Sequence, residues 1–178
     1  EVSVYIGIPF CPTRCVYCSF TAYSLEQKQK EVEPYLEALF KEISFVAEAK
    51  AKASIRSLYI GGGTPTSLNE EQLDRLLTHV EKSFDLSKVE EYTIEAGRPD
   101  TITAEKLRIM KAHGVGRISI NPQSMKQKTL DIISRGHSVE EIKEVFKIAR
   151  AMGHNQINMD MILGLPGETV EDVAYTLS

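Results

Sequence analysis

"VSVYIGIPFCPTRCVYCSF", Val2 to Phe20, carries two patterns back to back. The first is a strict alternation, with Val2, Val4, Ile6 and Ile8 on one face and Ser3, Tyr5 and Gly7 on the other, which predicts a β-strand with one apolar and one polar side. The second is C-x3-C-x2-C, which places all 3 cysteines of a 178-residue chain at Cys11, Cys15 and Cys18. A strand that runs directly into a thiol-rich loop sets the architecture and the chemistry together.

Working outward, strand and helix patterns alternate. "VEPYLEALFKEISFVAEAKA" from Val32 to about Ala51 puts Leu36, Leu39, Phe40, Ile43 and Val46 at helical spacing, with Pro34 tolerated in the first turn. Ile55 to Ile60 reads as the second strand and leads into Gly61, Gly62 and Gly63. Asn69 and Gln72 have capping-box spacing ahead of a helix, and Glu91 to Ala96 is the third strand. Thr103 opens the next helix and Gly114 closes it. The fourth strand spans Gly116 to Asn121, followed by a short helix from Met125 to Ile133. Ser138 and Glu141 cap a longer helix that runs to Met152 and stops at Gly153. A fifth strand, Gln156 to Leu163, leads through "GLPGETVEDV" to a last helix.

Strands separated by helices imply parallel pairing with right-handed crossovers, hence an α/β fold. A doubly wound sheet, covered on both sides, makes its strands almost wholly apolar. Here the third strand shows Thr93 and Glu95, the fourth Ser119 and Asn121 and then Gln123, and the fifth Asn158 and Asp160. Their other faces, including Ile118, Ile120, Ile157, Met159 and Met161, are apolar and expected to pack on helices. The pattern predicts an open, partial parallel β/α barrel with a polar, ligand-filled interior and chemistry at the carboxyl ends of its strands.

Composition narrows the function classes. Hydrophobic residues make up 42 % and charged residues 26 %, as in an ordinary globular domain, and 1–178 reads as one domain. No apolar run approaches the ~20 residues of a membrane span. The net charge of -4 is spread along the chain with no basic stripe, so nucleic acid is not an expected partner. No signal peptide is legible, and three clustered thiols suit a reducing compartment, so a cytoplasmic location is expected. Glu1 enters a strand at once and "ETVEDVAYTLS" reads as a helix under way. The sequence is therefore expected to be a fragment, truncated on its C-terminal side.

Three thiolates suit a soft metal centre. Zinc would need a fourth ligand, and His79, His113, His137 and His154 show no zinc-like spacing near the loop. A [4Fe–4S] cluster normally takes four thiolates, so three would leave one iron open to a small molecule.

The C-x3-C-x2-C loop, with Tyr17 before its last cysteine, resembles the signature of the radical S-adenosylmethionine (SAM) superfamily. "YIGIPFCPTRCVYCSF", "YIGGGTPTSL", "IEAGRPDTIT", "NPQSM", "ISRGH" and "NMDMILGLPGET" are similar, in order and spacing, to the oxygen-independent coproporphyrinogen III oxidases and their heme-chaperone relatives. "EAGRPD" resembles the HemZ-type coproporphyrinogen dehydrogenases within that group; most relatives have asparagine and proline after the glutamate and alanine. The resemblance implies a cluster on Cys11, Cys15 and Cys18 whose open iron binds SAM, and cleavage of SAM to a 5′-deoxyadenosyl radical.

The same resemblance implies a set of SAM contacts, each with a plainer alternative. Gly62, Gly63 and Thr64 would let the methionine end approach a bare backbone; a tight turn also needs glycine there. Glu95 would hold the ribose or amino group, the alternative being an ion pair with Arg117. Gln123 and Arg135 would hold the carboxylate, and Asp160 both ribose hydroxyls. Tyr5 and Ile162 would touch the cofactor, or simply pack. Tyr17 and Phe20 would shield the cluster. The histidines are expected to be solvated or loop-structural.

The implied reaction converts coproporphyrinogen III to protoporphyrinogen IX, with reduced flavodoxin or ferredoxin as electron donor. Rival functions are a heme-binding chaperone, a radical enzyme acting on another substrate such as a methyltransferase, and a plain electron carrier. Ser19 and Phe20 follow Cys18 where oxidases often have a fourth cysteine, and Gly7 stands where histidine is frequent.

Overall fold

A computed structural model describes residues 1–20, 22–49 and 53–178. Its main sheet has five parallel strands: β1 (Val2–Ile8), β4 (Ile55–Gly62), β5 (Glu91–Ile94), β6 (Arg117–Ser119) and β7 (Gln156–Asn158), in that spatial order. Two short strands, β2 (Phe10–Cys11) and β3 (Tyr23–Ser24), pair with each other across the cysteine loop. Because each strand is added on the same side of the last, right-handed crossovers put the connecting helices on one face. A doubly wound sheet reverses strand order at a switch point; this sheet does not.

The helices between the main strands are α1 (Leu25–Lys28), α2 (Val32–Ala49), α3 (Glu70–Ser83), α4 (Ala104–Ala112), α5 (Gln127–Ile132) and α6 (Val139–Ala151), with α7 (Val170–Leu177) last. The predicted end of α2 at Ala51 lies outside the described residues. Both predicted capping boxes form: Asn69 with Gln72 opens α3, and Ser138 with Glu141 opens α6. Thr103 caps α4 through the Lys106 amide. Gly114 and Gly153 follow α4 and α6 with φ of +73° and +85°, the left-handed conformation that ends a helix.

The sheet register places the two predicted faces. Tyr5, Tyr59, Thr93, Arg117 and Gln156 form one row across the strands, and Ser119 pairs with Asn158. On the opposite side Ile6, Ile8, Leu58, Ile60, Tyr92, Ile94 and Ile118 join Leu36, Leu73, Leu76, Leu77, Leu107 and Met110 from the helices in one core. Truncating one such leucine to alanine costs about 2–5 kcal/mol. A second cluster, Leu130, Ile133, Val139, Ile142 and Leu165, lies under α5.

Two expectations are corrected. Met159 and Met161 do not join the core, and Met159 is 43 % exposed, because β7 is the last strand of the sheet and has no neighbour on its outer side. The strand predicted to reach Leu163 ends at Asn158, and pairing resumes only as an isolated bridge between Gln123 and Met161. Gln123 has φ of +64°, which takes the chain out of the regular ladder there. Of the histidines, expected to be solvated or loop-structural, His137 and His154 are the structural ones, almost wholly buried in loops, with His154 Nε2 3.0 Å from the Leu107 carbonyl.

Candidate functional site

The carboxyl ends of the main strands open into a cleft. Cys11, Cys15, Cys18 and Tyr17 line one side, and Gly62, Gly63, Thr64, Glu95, Gln123, Arg135 and Asp160 line the rest. With Phe20, twelve of the fourteen residues expected to hold or shield the cluster and SAM therefore meet in one place.

The cysteine loop is laid against the glycine turn by backbone bonds. The Gly63 amide donates to the Ile8 carbonyl at 2.8 Å and the Thr64 amide to the Phe10 carbonyl at 2.8 Å. A Cβ on Gly63 would stand 2.7 Å from the Phe10 carbonyl oxygen and 3.1 Å from Cys11 Sγ, so no side chain fits. Gly62 has φ of +108°, which glycine alone adopts without strain. Thr64 Oγ1 lies 3.3 Å from Cys11 Sγ. Burial pushes the Cys11 thiol up, while the Thr64 hydroxyl and the nearby Arg98 charge act the other way.

Glu95 is held by the Tyr59 hydroxyl, which donates at 2.6 Å, and by the Gly62 amide at 3.1 Å. Gly61 makes room for it, since a Cβ there would stand 2.7 Å from Glu95 Oε2. The alternative ion pair is absent: Arg117 binds Glu91 instead, at 3.3 Å. Desolvation, then the hydrogen bond to Glu95, pushes the Tyr59 phenol up.

Arg135 is buried, with Nη2 donating to the Asn121 carbonyl at 2.6 Å and the Gly97 carbonyl at 3.3 Å. Its Nε has no partner, and neither does Gln123 Oε1. Buried polar atoms are normally paired, so a free donor and a free acceptor beside the cleft mark a place for a polar ligand. Asp160 accepts from Asn158 Nδ2 at 2.7 Å, and its amide donates to Asn121 Oδ1 at 3.2 Å.

Two residues do not reach the cleft. Tyr5 is 61 % exposed and stacks on Tyr59 with ring centroids 5.9 Å apart; burial, then the nearby Glu95 charge, pushes its phenol up. Ile162 packs against the cluster under α5. Phe20 lines the cleft but is 67 % exposed and shields little. Tyr17 is better covered, its phenol pushed up to about 12 by burial.

Sequence reading missed Arg98. It is 2 % exposed, forks onto Asp100 through Nε (3.0 Å) and Nη2 (2.7 Å), and reaches the cysteine loop through Nη1, which donates to Thr13 Oγ1 at 2.9 Å. Burial works to raise the Asp100 carboxyl, but His137 and the Arg98 fork outweigh it and hold it well below the usual carboxylate range. Lys106 was also missed: its buried ammonium ties the carbonyls of Thr66 and Thr101 together at 2.7 and 3.0 Å, joining the loops after β4 and β5.

The residues present fit a cluster with SAM. Three cysteines share one loop, and the facing backbone has no room for side chains. The unpaired Arg135 donor and Gln123 acceptor match a carboxylate and an ammonium. Among the described residues no three side chains of Cys, His, Asp or Glu gather as one metal ion requires. A cluster that gives each thiolate its own iron asks for a wider spread.

An α/β sheet with one polar face and a three-cysteine loop at its carboxyl edge defines a cofactor-binding scaffold for metal-centred chemistry. The profile of the radical SAM superfamily matches residues 5–178, and the chain belongs to that superfamily. Membership implies a [4Fe–4S] cluster and SAM.

The chain is 46 % identical over its full length to the oxygen-independent coproporphyrinogen-III oxidase-like protein HemZ of Bacillus subtilis, covering 36 % of that protein. It is 37 % identical to the heme chaperone HemW of the same organism, covering 99 % of this chain and 46 % of HemW. The structure of coproporphyrinogen III oxidase HemN from Escherichia coli superposes with a TM-score of 0.89 at 34 % identity, covering 98 % of this chain and 40 % of HemN. The chain thus spans less than half the length of these relatives. Among the described residues no helix is long and apolar enough to cross a membrane.

Proposed function

We propose that this chain is the cluster- and SAM-binding core of an oxygen-independent oxidase that converts coproporphyrinogen III to protoporphyrinogen IX. Each of two propionates would lose a β-hydrogen atom, CO2 and one electron, leaving a vinyl group. The observation that carries the proposal is the cleft itself: its lining gathers three thiols, Arg135, Gln123 and the carboxylates of Glu95 and Asp160, and Arg135 Nε and Gln123 Oε1 are buried without a partner. Likeness to HemN over 98 % of the chain supports the choice of substrate.

When bound, the cluster and SAM supply a carbon radical strong enough to take hydrogen from an unactivated C–H bond. The protein's part is to bind and orient. Cys11, Cys15 and Cys18 would hold the cluster by three thiolates, one short of the usual four. Arg135 presents a guanidinium N–H to the SAM carboxylate, and Gln123 offers its carbonyl oxygen to the ammonium. Gly62 and Gly63 admit the methionine end; Glu95 and Asp160 accept from the amino group and the ribose hydroxyls. A reduced flavodoxin or ferredoxin supplies the electron, and a reducing cytoplasm preserves the thiolates.

A second reading, a heme chaperone, has its own support. Ser19 and Phe20 follow Cys18 in place of a further cysteine, and HemW matches 99 % of the chain. One experiment separates the two. The full-length protein, reconstituted anaerobically with iron and sulfide, is given SAM, reduced flavodoxin and coproporphyrinogen, and a second portion is titrated with heme. Vinyl-bearing product is expected. SAM cleavage without porphyrin change rejects the substrate, and stoichiometric heme binding without turnover establishes the chaperone.

A further inference from the structure

Cys15 differs from its two neighbours in meeting two cations. Arg135 Nη1 lies 3.9 Å from Cys15 Sγ, and Arg98 Nη1 lies 4.0 Å from the same sulfur. Arg135 keeps Nε unpaired beside the cleft. Arg98 has no such spare nitrogen. Its Nε and Nη2 are spent on Asp100 and its Nη1 on Thr13 and the sulfur. All three nitrogens of this guanidinium are thus engaged within the protein, and only the second Nη2 hydrogen has no bond assigned to it.

Its position is also fixed from behind. A Cβ on Gly136 would stand 3.2 Å from Arg98 Nη2 and 3.3 Å from Asp100 Oδ2, so the fork sits directly against that backbone. His137 is 2 % exposed, and its Nδ1 is 3.8 Å from Asp100 Oδ1. The cation therefore cannot swing away from Cys15 without breaking its pairing with Asp100.

We propose that Arg98 is a positioning residue that sets the reduction potential of the cluster. Reduction adds negative charge to the cluster and its sulfurs, and a fixed cation with an N–H aimed at a ligand sulfur favours that state. Asp100 holds the cation in place and offsets part of its field. Removing Arg98 therefore lowers the potential, and neutralising Asp100 raises it. The inference rests on the cluster-binding reading above.

The test compares the full-length parent with Arg98→Met and Asp100→Asn, each reconstituted anaerobically. Iron and sulfide are assayed, and the midpoint potential is read from the EPR signal during redox titration. Arg98→Met is expected to keep its iron and to shift its reduction equilibrium roughly tenfold toward the oxidised state, about 59 mV for one electron. Asp100→Asn is expected to shift it the other way. A structural role alone would weaken the fold in both variants without moving the potentials in opposite directions.

Coincident potentials, or shifts of the same sign, overturn the inference. If Arg98→Met takes up no iron, the Asn variant decides: a raised potential supports the inference, and an unchanged one overturns it. Loss of iron from both variants leaves Arg98 a fold-holding residue only, which also overturns it. A parent that takes up no cluster instead overturns the cluster reading.

Discussion

At the residue scale the site depends on where side chains are missing as much as where they are present. Gly63 lets the turn after β4 touch the backbone of the cysteine loop, with two carbonyl oxygens within 3.0 Å of where a Cβ would be. Neither oxygen can yield without breaking the Gly63 and Thr64 amide bonds to that loop. Gly63→Ala is expected to cost about 1–3 kcal/mol. Thermal unfolding and bound iron after reconstitution check this: a lowered midpoint with poor iron retention is expected, and an unchanged variant contradicts it. The cysteines, Gly63, Glu95, Gln123, Arg135 and Asp160 were legible because their segments resemble those of a family. Arg98 was not, because its burial comes from Thr13 and Cys15, more than eighty residues away. A local reading sees an arginine before a proline and expects an exposed loop. Tyr5 takes the polar-face position its alternation predicts and stacks on Tyr59, which in turn donates to Glu95.

At the element scale, periodicity and capping residues located the helices well. The ends of β5, β6 and β7 were overextended because alternation continues in the sequence after the ladder stops. Glu95 still donates its amide to Ile60 at 2.9 Å, and Ile120 its amide to Asn158 at 2.8 Å, so pairing persists while the chain turns toward the cleft. Between α3 and α4, His113 contacts Asp74 at 3.0 Å and Glu81 at 2.9 Å. Burial works to lower its pKa, but the two carboxylates outweigh it and the folded value lies above the ordinary one. Such a group stabilises the fold fully below its unfolded pKa of about 6.5, and the contribution fades as pH rises through the folded value. His113→Gln should therefore reduce stability at about pH 6 and leave it almost unchanged at about pH 9. Chemical denaturation of parent and variant at both pH values checks this, and a gap that widens with pH contradicts it.

At the scale of the whole molecule, five parallel strands added in one direction put the long helices α2, α3, α4 and α6 on one side and leave the other, polar side without a helix layer among the described residues. That asymmetry was legible in the sequence, because polar residues at every second position of four strands cannot face a helix layer. The loops were not. The positive φ of Gln123 and the convergence of two arginines on Cys15 arise only when distant segments meet. The consequence for function is a cleft with three thiols on one wall and unpaired polar atoms on another, arranged so that a small molecule can bridge them. EPR of the reduced, anaerobically reconstituted full-length protein, recorded with and without SAM, tests this most directly. A [4Fe–4S] signal whose g values move when SAM is added is the predicted result; zinc in place of iron, or a cluster spectrum that SAM leaves unchanged, would contradict it.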